Sequence, residues 1–241
     1  MKDEEIDDVL NEMAKAPQLL KTETLQHLAD SVKPSLRPVR PLPPTWVLTG
    51  SLVLICAAIA LAGAARAGFY GIEKMDLLKR ALIFPILLVF ALTAGSGFVG
   101  EMIPGSRRRI PPSALLSLVI ALLAGVFALL FRDYRTSDFF SAGIACLLTG
   151  LLFALPAALL AWLVLRRGFA VNPPSAGLVA GTLGGLAGLG MLELHCPNFQ
   201  AAHVLLWHIA LIPLSAAVGA FVAWALRLRS GYSDRARPNG N

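Results

Sequence analysis

The chain has 241 residues, of which 56% are apolar and only 15% are charged, and its formal net charge is +6. Soluble domains carry charges on about a quarter of their residues, so this composition excludes an ordinary soluble domain. Membrane topology and attraction to anionic lipid explain the excess of basic residues, which therefore gives little support for direct binding to nucleic acid.

Six windows of 17 to 25 residues contain no charged residue, and each has about the length that a bilayer core requires. Because these apolar runs are continuous, they predict helices and not the alternating strands of a membrane barrel. We therefore predict an all-α, polytopic membrane protein with six transmembrane helices. The predicted spans are residues 46–65, 81–100, 113–131, 141–165, 176–192 and 204–226.

Lys and Arg are distributed unevenly among the segments that join these spans. If the N-terminus is cytoplasmic, the cytoplasmic segments carry 15 of these residues and the segments on the other side carry 6. Basic segments stay on the cytoplasmic side of a membrane. We therefore expect both termini in the cytoplasm.

The polar ends of the chain complete the predicted domain organisation. Residues 1–45 form a cytoplasmic partner-binding segment that ends in a spacer, because five prolines between positions 34 and 44 prevent a helix there. Residues 46–226 form the six-span domain, and residues 227–241 are predicted to be a disordered tail. The loops between the spans have 9 to 15 residues, too few for a catalytic domain, so we do not expect an enzyme.

The N-terminal segment contains two short amphipathic stretches. The first is a predicted helix whose apolar face is formed by Ile6, Val9, Leu10 and Met13. The second spans roughly residues 22–32. Eight acidic residues against six basic residues over positions 1–45 favour a basic protein partner over anionic lipid. The alternative is a solvated tail that only anchors the first span.

Glycine is concentrated in the fifth predicted span. Gly177, Gly181 and Gly185 repeat at every fourth position and so lie on one face of a helix. Such a stripe of small residues allows two helices in a membrane to approach closely. We interpret it as a packing surface and not as a ligand site.

The densest polar chemistry lies where the fifth span ends and the sixth begins. It consists of His195, Cys196, His203 and His208. These residue types indicate a site with metal or redox character. His203 and His208 are five residues apart, about 140° around an α-helix, so this spacing does not give the i, i+4 pair of a helical zinc site. The alternative is that these histidines anchor the helices at the membrane interface.

A second cysteine is predicted to lie near this site. Cys146 is expected about 7 to 8 Å below the outer end of the fourth span, on the same side of the membrane as Cys196. In an oxidising compartment the two can form a disulfide if their Cα atoms come within about 4.4 to 6.8 Å, or they can share a soft metal ion with His195. No permanent cofactor is expected. A transient heavy-metal ion is the exception, with Cys196, His195 and His203 as candidate ligands.

Four pieces of the sequence resemble a known family. They are LRPVRPLPPTW, LRRGFAVNP, the glycine-rich fifth span and LELHCPNFQAAHVLLWHIA. They are similar to the NrsF-like family of bacterial inner-membrane proteins, named for the negative regulator of an extracytoplasmic-function sigma factor. The resemblance implies a six-span anti-sigma factor whose cytoplasmic N-terminus holds the sigma factor. By position, the cysteines of the family would be Cys146 and Cys196.

The residues and the resemblance together give one hypothesis. The apolar face of the N-terminal helix holds a regulator at the membrane, and thiol or metal chemistry at Cys146 and Cys196 weakens that binding. One alternative is a membrane thiol-redox or metal-handling protein, which the absence of a C-x-x-C motif disfavours. Another is a small transporter, which the charge-free spans disfavour.

Overall fold

The computed structural model describes part of the chain in detail. The described residues are 26–27, 30–31, 43–103, 110–135, 139–165 and 172–235. The chain divides into two units, Met1–Leu42 and Pro43–Asn241. The predicted apolar face formed by Ile6, Val9, Leu10 and Met13 lies outside the described residues. From the second predicted stretch, residues 26–27 and 30–31 are helical and exposed.

Six helices within the described residues of the second unit are long and apolar enough to cross a membrane, which confirms the predicted all-α fold with six spans. We number the long helices α1 to α6. They are α1 Thr45–Ala67, α2 Leu77–Met102, α3 Pro112–Leu130, α4 Phe139–Leu165, α5 Pro173–His195 and α6 Leu211–Arg235. A short helix, Ala201–His203, and a π-helical turn, Val204–His208, precede α6 and belong to the sixth span.

Several helices continue beyond the charge-free windows. α2 begins at Leu77, and Asp76 caps it by accepting a hydrogen bond from the Lys79 backbone N–H at 2.8 Å. Hydrogen bonds from the Lys79 side chain and backbone also lower the pKa of Asp76. At the other end of the chain α6 continues to Arg235, so residues 227–235, predicted to be disordered, are helical. Extending an existing helix adds one hydrogen bond for each residue ordered, which explains the longer helix.

α5 is the central helix of the bundle. In its most apolar stretch 83% of the residues are buried, against 22 to 39% for the other five spans, although its mean hydropathy of 1.5 is the lowest of the six. α5 contacts each of the other five long helices. Small side chains permit this position, because they let neighbouring backbones come close.

The glycines of α5 lie on two packing faces. The stripe of Gly177, Gly181 and Gly185 lies against α6. A Cβ added at Gly185 would lie 2.7 Å from the Cα of Ile212, which is too close for a carbon atom. On a second face, a Cβ at Gly188 would lie 2.6 Å from the carbonyl oxygen of Gly150 in α4. α5 is therefore in backbone contact with both α4 and α6.

Three loops meet at one end of the bundle. The loop after α1 contains a short helix, Tyr70–Lys74, which packs against α5. The loop after α3 is joined to the start of the sixth span by a hydrogen bond of 2.6 Å from Ala201 N–H to the Asp133 carbonyl. The loop between α5 and the sixth span lies beside both. Successive spans therefore run in opposite directions, and Thr45 lies at the other end of the bundle.

Candidate functional site

Four side chains with metal-binding atoms converge at the C-terminal end of α5. The two thiols of Cys146 and Cys196 and one ring nitrogen each of His203 and His208 all lie within 4.8 Å of one another. We call these four residues the Cys₂His₂ cluster. Cys196 is 3% exposed, both histidines are 0% exposed, and Cys146 is half-buried. The cluster joins α4, the end of α5 and the first turns of the sixth span.

The two thiols of the cluster are in direct contact. Cys146 Sγ lies 3.3 Å from Cys196 Sγ, and Cys196 Sγ lies 3.6 Å from His203 Nε2. Both cysteines are free. The hydrogen bond with Cys146, followed by burial, raises the pKa of Cys196 above that of an ordinary thiol. At neutral pH Cys196 is therefore a protonated thiol and not a ready nucleophile.

The π-helical turn brings His203 and His208 together. Within Val204–His208 the Ile209 N–H donates to the Val204 carbonyl, five residues back, at 3.3 Å. In such a turn residues five apart become neighbours, and the centroids of the two imidazole rings are 5.2 Å apart. The expectation that this spacing separates the two histidines was wrong, because it assumed a regular α-helix.

Glu193 is a buried acid beside the cluster. Its side chain is fully buried, and its Oε1 accepts a hydrogen bond from His208 Nδ1 at 2.8 Å. Among the described residues, Glu193 Oε2 has no hydrogen-bond partner, and His208 Nε2 makes no well-aligned hydrogen bond, although Cys196 lies close to the His208 ring. The charge-free window ends at Leu192, so Glu193 was expected among the polar residues of the loop and not among the candidate site residues, whereas α5 in fact continues to His195. An acid at membrane depth next to a histidine-rich motif is the signal that could have identified it.

His195 lies outside the cluster, although the sequence analysis included it among the candidate ligands. Its Nδ1 donates to the Gly68 carbonyl at 3.0 Å, and its ring packs against Tyr70 with the centroids 5.9 Å apart. His195 therefore joins the end of α5 to the loop after α1. The second histidine of the cluster is His208, whereas His195 was expected among the candidate ligands. Cys56 lies on α1 in the apolar core.

Tight backbone packing surrounds the cluster. A Cβ added at Gly71 would lie 2.7 Å from the Glu193 carbonyl oxygen and 2.8 Å from that of Cys196, so the short helix lies directly on the backbone of the site. Gly143 on α4 leaves room for the indole of Trp207, which would overlap any larger side chain there. A change in the cluster therefore acts directly on its neighbouring helices.

An open pocket lies at the same end of the bundle. It has a volume of about 420 Å³, and Lys79, Arg132 and Pro197 are among the residues that line it. Pro197 directly follows Cys196 in the chain. The pocket therefore lies beside the loop that follows Cys196.

Comparison with known proteins identifies a family for this chain. Residues 33–228 match the family model described as negative regulator of sigma F. The matched range includes all six spans and the four residues of the cluster. No curated protein and no solved structure matches the chain.

Proposed function

The chain belongs to the NrsF family, the negative regulators of sigma F, and from that premise we propose that it is a membrane-bound anti-sigma factor. It sequesters an extracytoplasmic-function sigma factor through residues 1–45 and releases it on a thiol or metal stress signal. Membership of a family of regulators implies a non-enzymatic role.

The observation that carries this proposal is the position of two thiols at the end of the central helix. Cys146 and Cys196 lie 3.3 Å apart and connect α4 with the C-terminal end of α5. Oxidation to a disulfide or binding of an ion changes how these two elements are held together. Because α5 is in backbone contact with α4 and α6, such a change alters the packing of the bundle.

The topology supports transfer of a signal across the membrane. The Cys₂His₂ cluster lies at one end of the bundle, and α1 begins at Thr45 at the other end. The distribution of Lys and Arg favours cytoplasmic termini, with the cluster on the periplasmic side of a bacterial inner membrane. The signal is then received outside the cytoplasm and the sigma factor is held inside it.

The partner-binding face is the one predicted in the N-terminal segment. Ile6, Val9, Leu10 and Met13 give it an apolar surface, and the neighbouring acidic residues favour a basic partner. Shifting a partner from 99% bound to 1% bound requires about 5.5 kcal/mol of differential free energy. Structural zinc sites in small peptides bind with about 10 to 16 kcal/mol. Release therefore requires that about 5.5 kcal/mol of such a binding energy be present only in the released conformation, which corresponds to about 10⁴-fold tighter binding of the ion to that conformation.

Capture of a sigma factor by the full chain in membranes tests the proposal. The membranes are mixed with each extracytoplasmic-function sigma factor of the source organism, before and after treatment with diamide or Cd²⁺. We expect capture by the untreated chain and release after treatment. Release should be lost in Cys146→Ser and Cys196→Ser variants and retained in the matched control Cys56→Ser. Absence of capture, or release that is the same in all three variants, would contradict the proposal.

A further inference from the structure

We infer that the Cys₂His₂ cluster binds one soft divalent cation, such as Zn²⁺ or Cd²⁺, with two thiolate and two imidazole ligands. The ligands are Cys146, Cys196, His203 and His208, and Glu193 is a positioning residue that touches His208 and not the ion. This inference rests on the proposed function, in which the cluster receives the signal. It identifies that signal as a metal ion and names the side chains that coordinate it.

The spacing of the ligand atoms fits a tetrahedral ion. Zn–S bonds of about 2.3 Å and Zn–N bonds of about 2.0 to 2.1 Å place neighbouring ligand atoms about 3.3 to 3.8 Å apart. The two sulfur atoms are 3.3 Å apart, and Cys196 Sγ lies 3.6 Å from His203 Nε2. Since no two of the four ligand atoms are more than 4.8 Å apart, closing around an ion requires the widest pair to approach by at most about 1.5 Å.

Buried polar atoms without partners point to a missing ligand. Buried polar side-chain atoms are nearly always hydrogen-bonded. His208 is fully buried, and its Nδ1 is bonded to Glu193, whereas its Nε2 makes no well-aligned hydrogen bond among the described residues. A cation in the cluster would be bound by this nitrogen and would remove the deficit.

Glu193 explains why His208 presents Nε2 to the cluster. Metal-binding histidines commonly donate their second ring N–H to a carboxylate, which fixes the tautomer and the orientation of the ring. Glu193 Oε1 lies 2.8 Å from His208 Nδ1 and so holds the proton on that nitrogen. The lone pair is then left on Nε2. The π-helical turn adds the second imidazole by placing His203 beside His208.

The binding step transfers no electrons and balances in charge. The cation takes an electron pair from each of two sulfur atoms and two neutral imidazole nitrogens, and the two thiol protons leave to solvent. The two thiolate charges offset the charge of the cation, which is important because an unpaired charge in a buried site is costly. The Glu193 carboxylate keeps one negative charge, which is stabilised by the hydrogen bond from His208 Nδ1. A disulfide, by contrast, requires an oxidant that removes two electrons.

Optical titration of the full chain tests the inference. The chain is purified in detergent under reducing conditions, stripped with a chelator, and titrated with Co²⁺ and then with Cd²⁺. We expect one equivalent of each ion, visible bands typical of tetrahedral Co²⁺, and thiolate-to-metal charge-transfer absorption from two thiolates. Glu193→Gln should weaken binding about 10- to 100-fold with the same spectrum, since it alters only the orientation of His208.

Two further variants keep the test independent of folding defects. His208→Cys replaces an imidazole by a thiol, so it should still bind Cd²⁺ and should show charge transfer from three thiolates. His195→Ala removes a histidine outside the cluster and should bind as the unchanged chain does. Size-exclusion profiles of each variant establish that it is folded.

Two results would overturn the inference. The first is wild-type affinity in both Glu193→Gln and His208→Ala, which would show that His208 is not a ligand of the ion. The second is no binding by the unchanged chain. If the sigma factor is still released by diamide, that second result leaves the proposed function intact. Ion binding by a chain that captures no sigma factor would support the ion site and contradict the proposed function.

Discussion

The packing of α5 against α6 can be tested by adding one methyl group at Gly181. A Cβ at this position would overlap the carbonyl oxygen of Ser215 and would lie 2.7 Å from the Cα of Ala216. Both are backbone atoms of α6, so no side-chain rotation relieves the overlap. α5 and α6 must therefore move apart in Gly181→Ala.

The magnitude follows from a comparison with Gly190 on the same helix. A Cβ at Gly190 has no atom within 4 Å, so Gly190→Ala adds no overlap. Replacing a helical glycine by alanine gains about 0.8 to 1 kcal/mol in either variant. Overpacking at Gly181 costs about 1 to 3 kcal/mol. The difference between the variants isolates the packing cost, so Gly190→Ala should be more stable than Gly181→Ala by about 1 to 3 kcal/mol.

The assay is the free energy of unfolding of the full chain in detergent micelles. Sodium dodecyl sulfate is titrated in, and helicity is followed by circular dichroism for the unchanged chain and both variants. Equal stability of Gly181→Ala and Gly190→Ala, or greater stability of Gly181→Ala, would refute the close contact between α5 and α6.

Three further predictions concern the end of the bundle that carries the cluster. Gly71→Ala should displace the short helix Tyr70–Lys74 from the site, because the added carbon would overlap the backbone carbonyls of Glu193 and Cys196. Maleimide should then label Cys196 faster than in the unchanged chain, and an unchanged rate would contradict this contact. In Cys146→Ala the hydrogen bond that raises the pKa of Cys196 is lost. The rate at which Cys196 is labelled, measured by mass spectrometry as a function of pH, should therefore rise at lower pH than in the unchanged chain. An unshifted pH profile would argue against that bond. The Lys79 backbone N–H donates to the Asp76 carboxylate, so Asp76→Ala should speed hydrogen exchange of the Lys79 amide. Asp76→Asn keeps an acceptor oxygen and should retain much of the protection. Equal exchange rates in the two variants would rule out the cap.

Most of the fold could be predicted from the distribution of charge along the sequence. A charged side chain in the bilayer core is costly, so windows without charge identify membrane spans. The ends of the spans were less predictable. α2 includes Lys79 because Asp76 pairs with its ammonium group at 2.5 Å, and α5 includes Glu193 because His208 pairs with its carboxylate. Sequence alone does not show which charges find a partner in the folded chain.

The candidate site was only partly predictable for a similar reason. The residue types and the side of the bundle follow from the sequence, so Cys146 and Cys196 could be placed at the same end. The relative direction of His203 and His208 depends on the π-helical turn. His195 lies outside the cluster because its ring is hydrogen-bonded to the carbonyl of Gly68, 127 positions away in the chain. Local periodicity contains no information on either contact.

The central claim is that the cluster and the partner-binding segment lie on opposite faces of the membrane. Single cysteines at Met13 and Tyr134 test it most directly, in a chain whose three native cysteines are replaced by serine. Tyr134 is 61% exposed, and its neighbour Asp133 is bonded to the start of the sixth span. A membrane-impermeant maleimide should label Tyr134→Cys in intact cells and Met13→Cys only after permeabilisation. Labelling of both positions from the same side would contradict the account.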